Sequence, residues 1–181
     1  MQLPRRLLGE FGGIGGLLAA PLDRVRASYG LGLAKAAQIK AIQELGVRDT
    51  ETSLVKAQRL RDPSAVAEYL RKRMGSLADE AFACLFLNAK NEHLDFEIMF
   101  HGSIDRTHVH AREVLRRGLE HNAAAIIVCH NHPSCNAESS QADITLTRSL
   151  PGLLARVEIR LLDHIVISTQ SWVSMQMRGL L

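Results

Sequence analysis

Short runs of uninterrupted apolar residues alternate along the chain with longer stretches in which apolar positions recur every three or four residues, and the two periods predict strands and helices respectively. Glu80-Ala81-Phe82-Ala83-Cys84-Leu85-Phe86-Leu87 and the β-branched run Ala123-Ala124-Ala125-Ile126-Ile127-Val128-Cys129 read as buried strands. Asn88-Ala89-Lys90-Asn91 reads as a hairpin turn, with Leu94 to Phe100 as the returning strand. That strand alternates: Leu94, Phe96, Ile98 and Phe100 fall on one face, Asp95, Glu97 and Met99 on the other, so Glu97 reads as a surface residue. Helical spacing runs from His108 to Glu120 and ends near Asn122. It resumes after Asp143 through Ile144, Leu146 and Leu150, where Pro151-Gly152 is expected to kink or end the helix. Glu158 to Ser168 and Trp172 to Met175 read as the last strands.

Residues 1–20 are glycine-rich around Phe11-Gly12-Gly13-Ile14-Gly15-Gly16 and read as a loop leading into a short helix. Tyr29-Gly30-Leu31-Gly32 then reads as a tight turn before a helix spaced through Ile39, Ile42 and Leu45, a pattern similar to a helix-hairpin-helix motif. Glycine there lets the backbone approach a phosphate, the next helix N-terminus faces the anion, and Lys35 adds charge, which makes residues 28–40 a candidate DNA contact. A packing hairpin that touches no DNA gives the same pattern. Residues 46–62 are polar and charged, with Asp62 placed to cap a helix that has Pro63 at its first position. The boundary near Asp62 divides an N-terminal helical region, residues 1–62, from an α/β region, residues 63–181, in which helices between strands build layers.

A chain of 181 residues with 46% hydrophobic content supports one main core and a small satellite. A net charge of +3 permits nucleic-acid contact without requiring it, and Arg5-Arg6 and Arg71-Lys72-Arg73 read as solvated faces. No run is apolar for a membrane-spanning length, no signal-peptide pattern is present, and Cys84, Cys129 and Cys135 show no close pairing; together these predict a reducing cytoplasm and no membrane. Cys84 and Cys129 read as core residues and Cys135 as an inert loop side chain. No phosphate-binding glycine loop of the nucleotide-hydrolase kind is present, so an ATP-driven repair enzyme is unsupported.

Polar chemistry begins where the second buried strand ends, in His130-Asn131-His132-Pro133 followed by Ser140 and Asp143. Residues i and i+2 of an extended segment face the same side, so His130 and His132 present their imidazoles together while Asp143 adds a hard oxygen. Two neutral imidazoles and one carboxylate suit Zn²⁺, and three protein ligands leave the fourth tetrahedral position to water, the catalytic pattern. Ser140-Gln141-Ala142-Asp143 also reads as a helix start with Ser140 as N-cap, which explains those residues but not the histidines. His101, His108 and His110 straddle a loop and a helix start without partnering carboxylates or thiolates, so they do not read as a second metal site.

His-x-His-Pro, six residues, Ser, two residues, Asp resembles the metal motif of JAMM (MPN-type) metalloproteases. The blocks His130-Asn131-His132-Pro133-Ser134, Ser140-Gln141-Ala142-Asp143, Ala111-Arg112-Glu113-Val114 and Ile159-Arg160-Leu161-Leu162-Asp163-His164 resemble RadC proteins from about residue 64 to the end. The resemblance implies an α/β (α+β) fold, a JAMM/MPN-like, cytidine-deaminase-like sheet flanked by helices. It also implies a zinc-dependent hydrolase that cleaves a peptide or isopeptide bond of a peptide or protein substrate through zinc-bound water. His130, His132 and Asp143 would be the ligands, Ser140 would donate to the developing oxyanion, and Asn131 and Pro133 would shape the loop. In JAMM proteins a glutamate opens a strand neighbouring the metal loop, and Glu80 occupies that position; Glu92, Glu97, Glu113 and Glu138 are the other candidates for general base. Glu80 is preferred to Glu97 because a base must reach the attacking water, which a half-exposed mid-strand residue is poorly placed to do. Asp163-His164 matches the RadC pattern and is a candidate support for the site, although a satisfied, partly buried histidine is the simpler reading. RadC proteins usually carry Gly at the position of Cys135 and more helical sequence before the hairpin, so the N-terminus reads as shortened. A nucleic-acid-associated module and a non-catalytic protein-interaction module are the two other function classes.

Overall fold

The computed structural model describes residues 2–56, 60, 62–75, 77–102, 110–134 and 136–181, with the backbone alone at residues 2 and 50–56. The contacts divide the chain into two compact units, Met1–Thr52 and Ser53–Leu181. Cys135 and His108, both considered above, lie outside the described residues. No helix among the described residues is long and apolar enough to cross a membrane.

The first unit contains four helices, α1 (Gln2–Glu10), α2 (Ile14–Ala19), α3 (Leu22–Ala27) and the start of α4 (Leu33–Lys56). The expected N-terminal loop is therefore mostly helix. Leu3, Leu7 and Phe11 recur every four residues and give α1 an apolar stripe that packs with Ala20, Val25 and Ala36. Of the glycine-rich stretch only Gly12 and Gly13 form a turn, with φ of 69° and 109°, while Gly15 and Gly16 lie inside α2. α3 and α4 are joined by a short loop in which Gly30 has φ 84°. α4 continues as helix to Lys56 through the polar segment that carries no apolar periodicity.

In the second unit α5 (Pro63–Met74) starts as the sequence predicts: the Asp62 carboxylate accepts from Ser64 N at 3.0 Å, and Pro63 occupies the first turn, where a missing N–H costs nothing. The sheet comprises β1 (Ala81–Leu87), β2 (His93–His101), β3 (Ala125–His132), β4 (Arg160–Ser168) and β5 (Trp172–Ser174), in the order β2-β1-β3-β4-β5. β3 and β4 are parallel and the other pairs antiparallel. α6 (Ala111–Glu120) precedes β3, and α7 (Gln141–Leu154) makes the crossover from β3 to β4. Val66, Tyr69, Leu70 and Met74 of α5 pack with Ala83, Leu85, Ile127 and Ile165, while Val114 of α6 and Leu150 and Leu154 of α7 pack with Phe82, Cys84, Phe86 and Val128. Burial on both faces is why β1 and β3 are continuous apolar runs rather than alternating ones.

Two details depart from the sequence pattern. Phe82 pairs with Phe100 but Ala83 with Ile98, so Met99 is an extra residue and a bulge turns Phe100 to the opposite face from Ile98. Phe100 packs beside Phe82, at 6.3 Å between ring centroids, on the side of α6 and α7. Pro151 neither ends nor caps α7, which runs on to Leu154, because buried Leu150 and Leu154 on either side of it anchor the last turn in the core.

Candidate metal centre

The site is assembled where β3 ends and α7 begins. Phe82 of β1 lies opposite His130 of β3, so these side chains share the face covered by α6 and α7. His130 and Asp143 are almost wholly buried and His132 is half-buried. His130 Nε2 lies 3.0 Å from His132 Nε2 and 3.3 Å from Asp143 Oδ1, and one ligand atom from each residue falls within 4.8 Å of the others. Bonds of about 2.0–2.1 Å to a tetrahedral ion imply donor separations of about 3.3 Å. The donor set therefore fits a small divalent ion, with imidazole nitrogen favouring zinc over magnesium or calcium.

Each donor is aimed by a further contact. Ser140 caps α7 in a reciprocal box: its Oγ accepts from Asp143 N at 3.2 Å while Asp143 Oδ2 accepts from Ser140 N at 2.7 Å, leaving Oδ1 to face His130. His132 Nδ1 lies 3.1 Å from Asn136 O, which can only accept, so Nδ1 carries the proton and Nε2 the lone pair. His130 Nδ1 lies 2.9 Å from His164 Nε2, and His164 Nδ1 lies 2.5 Å from Thr147 Oγ1, which donates to Asp143 O at 2.6 Å. His164 is thus fully buried rather than partly so, and what satisfies it is a member of the cluster itself. Burial, followed by the neighbouring His130, pushes the His164 pKa well below its ordinary value, so the ring is neutral. Burial opposes ionisation of Asp143, yet His130 and the Ser140 N–H outweigh it and hold this carboxyl well below the usual range. Asp163 goes elsewhere: its carboxylate accepts from Ser174 Oγ at 2.6 Å and Gln176 N at 3.0 Å, tying β4 to the chain end, and burial raises its pKa.

Glu80 stands half-buried immediately before β1, its carbonyl accepting from Gly102 N at 2.8 Å. The Asn131 side chain straddles it, accepting from Ala81 N at 2.8 Å and donating to Asp79 O at 3.1 Å. The β1–β3 pairing is recorded as far as Phe82 opposite His130, and Glu80 lies two residues beyond that pair, at the end of the sheet where His132 closes β3. The other glutamates are engaged away from the three donors. Glu92 accepts from Asn88 in the hairpin turn at 2.7 Å, Glu97 pairs with Arg117, Glu113 with Arg116 at 2.8 Å, and Glu138 with Arg178. Glu97 is accordingly an ion-paired residue rather than a plain surface one. His101 is exposed at the end of β2 and His110 is the N-cap residue of α6; neither joins a ligand cluster among the described residues.

Thr147 had escaped the sequence reading. It lies one helical turn after Asp143, and that i, i+4 spacing was the available signal, because it puts the hydroxyl on the face of α7 that carries the carboxylate.

The family described as RadC-like JAB domain matches residues 60–180. A UPF0758 protein of Pseudomonas putida is 44% identical over 179 residues, covering 99% of this chain and 79% of that protein. UPF0758 proteins of Leptothrix cholodnii and Thioalkalivibrio sulfidiphilus are 45% and 46% identical over 181 residues, covering the whole of this chain and 82% and 81% of theirs. The chain belongs to the RadC (UPF0758) family, with an MPN/JAB-like fold and a His-His-Asp cluster consistent with a JAMM-type site.

Proposed function

We propose that the protein is a zinc-dependent metallopeptidase of JAMM type that hydrolyses a peptide or isopeptide bond, with His130, His132 and Asp143 holding the metal. The observation that carries this reading is the convergence of three donors whose non-ligating atoms are all tied to other groups, so that His130 Nε2, His132 Nε2 and Asp143 Oδ1 are turned toward one another. Zinc held there supplies Lewis acidity, polarising a carbonyl and making water acidic near neutral pH. Glu80, at the head of β1 two residues beyond the Phe82–His130 pair, takes the proton from the attacking water and passes it to the leaving amine. Asn131 keeps Glu80 in register by holding the backbone on both sides of it. Ser140 accepts from Asp143 N, which leaves its own O–H to donate to the oxyanion. The unpaired, buried thiols Cys84 and Cys129 suit a reducing compartment, the cytoplasm. Peptide and isopeptide libraries incubated with the protein and read by mass spectrometry for new termini test the reading: cleavage should stop with a chelator and return with zinc. Zinc uptake without any cleavage would favour a non-catalytic interaction module instead.

A second reading, compatible with the first, concerns the Met1–Thr52 unit, where DNA contact through residues 28–40 is supported by the cations that flank the glycine turn. Lys35 Nζ lies 3.3 Å from Gly30 O, and Arg6 donates to Tyr29 O and covers the exposed Tyr29 ring. Lys35→Glu should then weaken DNA binding and lower its salt slope by about one.

A further inference from the structure

We propose that His164 and Thr147 are positioning residues that set the tautomer of His130, and thereby decide whether its Nε2 offers the metal a lone pair or a proton. The inference rests on the metal reading above and extends it to residues outside the ligand set.

Three contacts form an unbroken chain between two of the ligands: His130 Nδ1 to His164 Nε2 at 2.9 Å, His164 Nδ1 to Thr147 Oγ1 at 2.5 Å, and Thr147 Oγ1 to Asp143 O at 2.6 Å. His164 is fully buried and neither of its ring nitrogens meets a carboxylate, so the ring carries a single N–H. The chain can then run in two directions. In one, His130 Nδ1–H donates to His164 Nε2, His164 Nδ1–H donates to Thr147 Oγ1, and the Thr147 hydroxyl donates to the Asp143 carbonyl. Every contact holds one proton, and His130 Nε2 faces His132 and Asp143 as a bare lone pair.

In the other direction His164 Nε2–H donates to His130, whose proton moves to Nε2 and closes the site, and the Thr147 hydroxyl turns to His164 Nδ1. A hydroxyl has one proton. Thr147 Oγ1 and Asp143 O would then face each other at 2.6 Å with no hydrogen between them, two buried oxygens at hydrogen-bond distance. Without a metal that direction gains a bond from His130 Nε2–H to Asp143 Oδ1, 3.3 Å away. Once an ion takes the Nε2 lone pair the gain is gone, and the Asp143 carbonyl, which can only accept, fixes the Thr147 hydroxyl, Thr147 fixes His164, and His164 holds His130. His132 obtains the same tautomer more simply, from the Asn136 carbonyl.

Histidine-selective ¹⁵N labelling with two-bond ¹H–¹⁵N correlation reads the chain directly in the wild-type protein, with and without added zinc. His164 is expected as the Nδ1–H tautomer in the zinc-loaded sample, and an Nε2–H His164 there would overturn the proposal. Zinc affinity, measured by competition with a chelator, supplies the second arm. His164→Leu and Thr147→Val should each lose about 10- to 100-fold. His164→Gln, whose carbonyl can accept from His130 while its amide donates to Thr147, and Thr147→Ser should stay within a few-fold of wild type. Wild-type affinity in both His164→Leu and Thr147→Val contradicts the proposal. If His164→Leu does not fold, the Thr147→Ser and Thr147→Val pair and the wild-type spectra decide. Failure of the wild-type protein to take up zinc would defeat the metal reading itself, a result distinct from a zinc-loaded protein whose His164→Leu and Thr147→Val variants bind as tightly as wild type.

Discussion

His130, His132 and Asp143 gather at the end of β3, and Asp95, Glu97 and His121 gather between edge strand β2 and the end of α6; in both groups the ligand atoms lie within 4.8 Å of one another. Their surroundings differ. Arg117 occupies the second group, pairing with Glu97 and Glu120 and lying 3.4 Å from His121 Nε2, so the carboxylate charge is already met by a guanidinium. His121 Nε2 is also 3.4 Å from Glu97 Oε1, and its ring stacks on Phe86 at 4.4 Å between centroids. In the first group no lysine or arginine pairs with Asp143 among the described residues, and the atoms not aimed at the centre are spent on a backbone N–H, a backbone carbonyl and His164. Both groups contain the residue types that bind metals. The wiring of the spare atoms, and whether a side-chain cation is already present, separates them.

The largest test of this contrast uses two glutamates. Glu80→Gln should keep zinc and lower any hydrolytic rate by about two to four orders of magnitude. Glu97→Gln, in the second group, should leave the rate unchanged. The opposite pattern in steady-state rates would move the general base to Glu97. Next, Asn131→Ala strips the buried Ala81 N–H of its acceptor and should cost about 1–3 kcal/mol in denaturant unfolding, with zinc retained and the rate reduced because Glu80 is no longer held. A variant that loses stability but keeps the wild-type rate would show that the clamp is only structural.

Arg117→Ala sharpens the comparison from the other side. Vacating the guanidinium should cost about 1 kcal/mol of stability and give the Asp95, Glu97 and His121 group a weak second affinity for zinc, visible as a shallow second phase in a calorimetric titration. The smallest effect concerns Asp163, whose carboxyl holds its proton to higher pH in the folded chain than in the unfolded one. The cost of ionising it is absent below about pH 4, grows as pH rises through the ordinary carboxylate range, and is complete above the raised value. The melting temperature of wild type relative to Asp163→Asn should therefore fall with rising pH across that window. A difference independent of pH would contradict the shift.

What the sequence made legible follows from how local each feature is. The buried strands β1 and β3 could be read because both sheet faces are covered and every position is apolar. The three candidate ligands lie within fourteen residues, where strand alternation and a capping signature predict direction. Helix α1 was obscured by the glycines that follow it. One extra residue at Met99 reversed the face of Phe100, because a period-2 pattern has no tolerance for a bulge. Pro151 remained inside α7 because packing of Leu150 and Leu154 overrode a local rule. The contact of His164 with His130 depends on the parallel pairing of β3 with β4, which only the assembled sheet supplies.

Zinc stoichiometry tests the central claim most directly: the purified protein, metal-stripped and reloaded, is compared by elemental analysis with Asp143→Ala and His121→Ala. One equivalent per chain in wild type and in His121→Ala, with most of it lost in Asp143→Ala, is the predicted result. Full retention in Asp143→Ala, or loss in His121→Ala, would contradict the assignment of the metal to the end of β3.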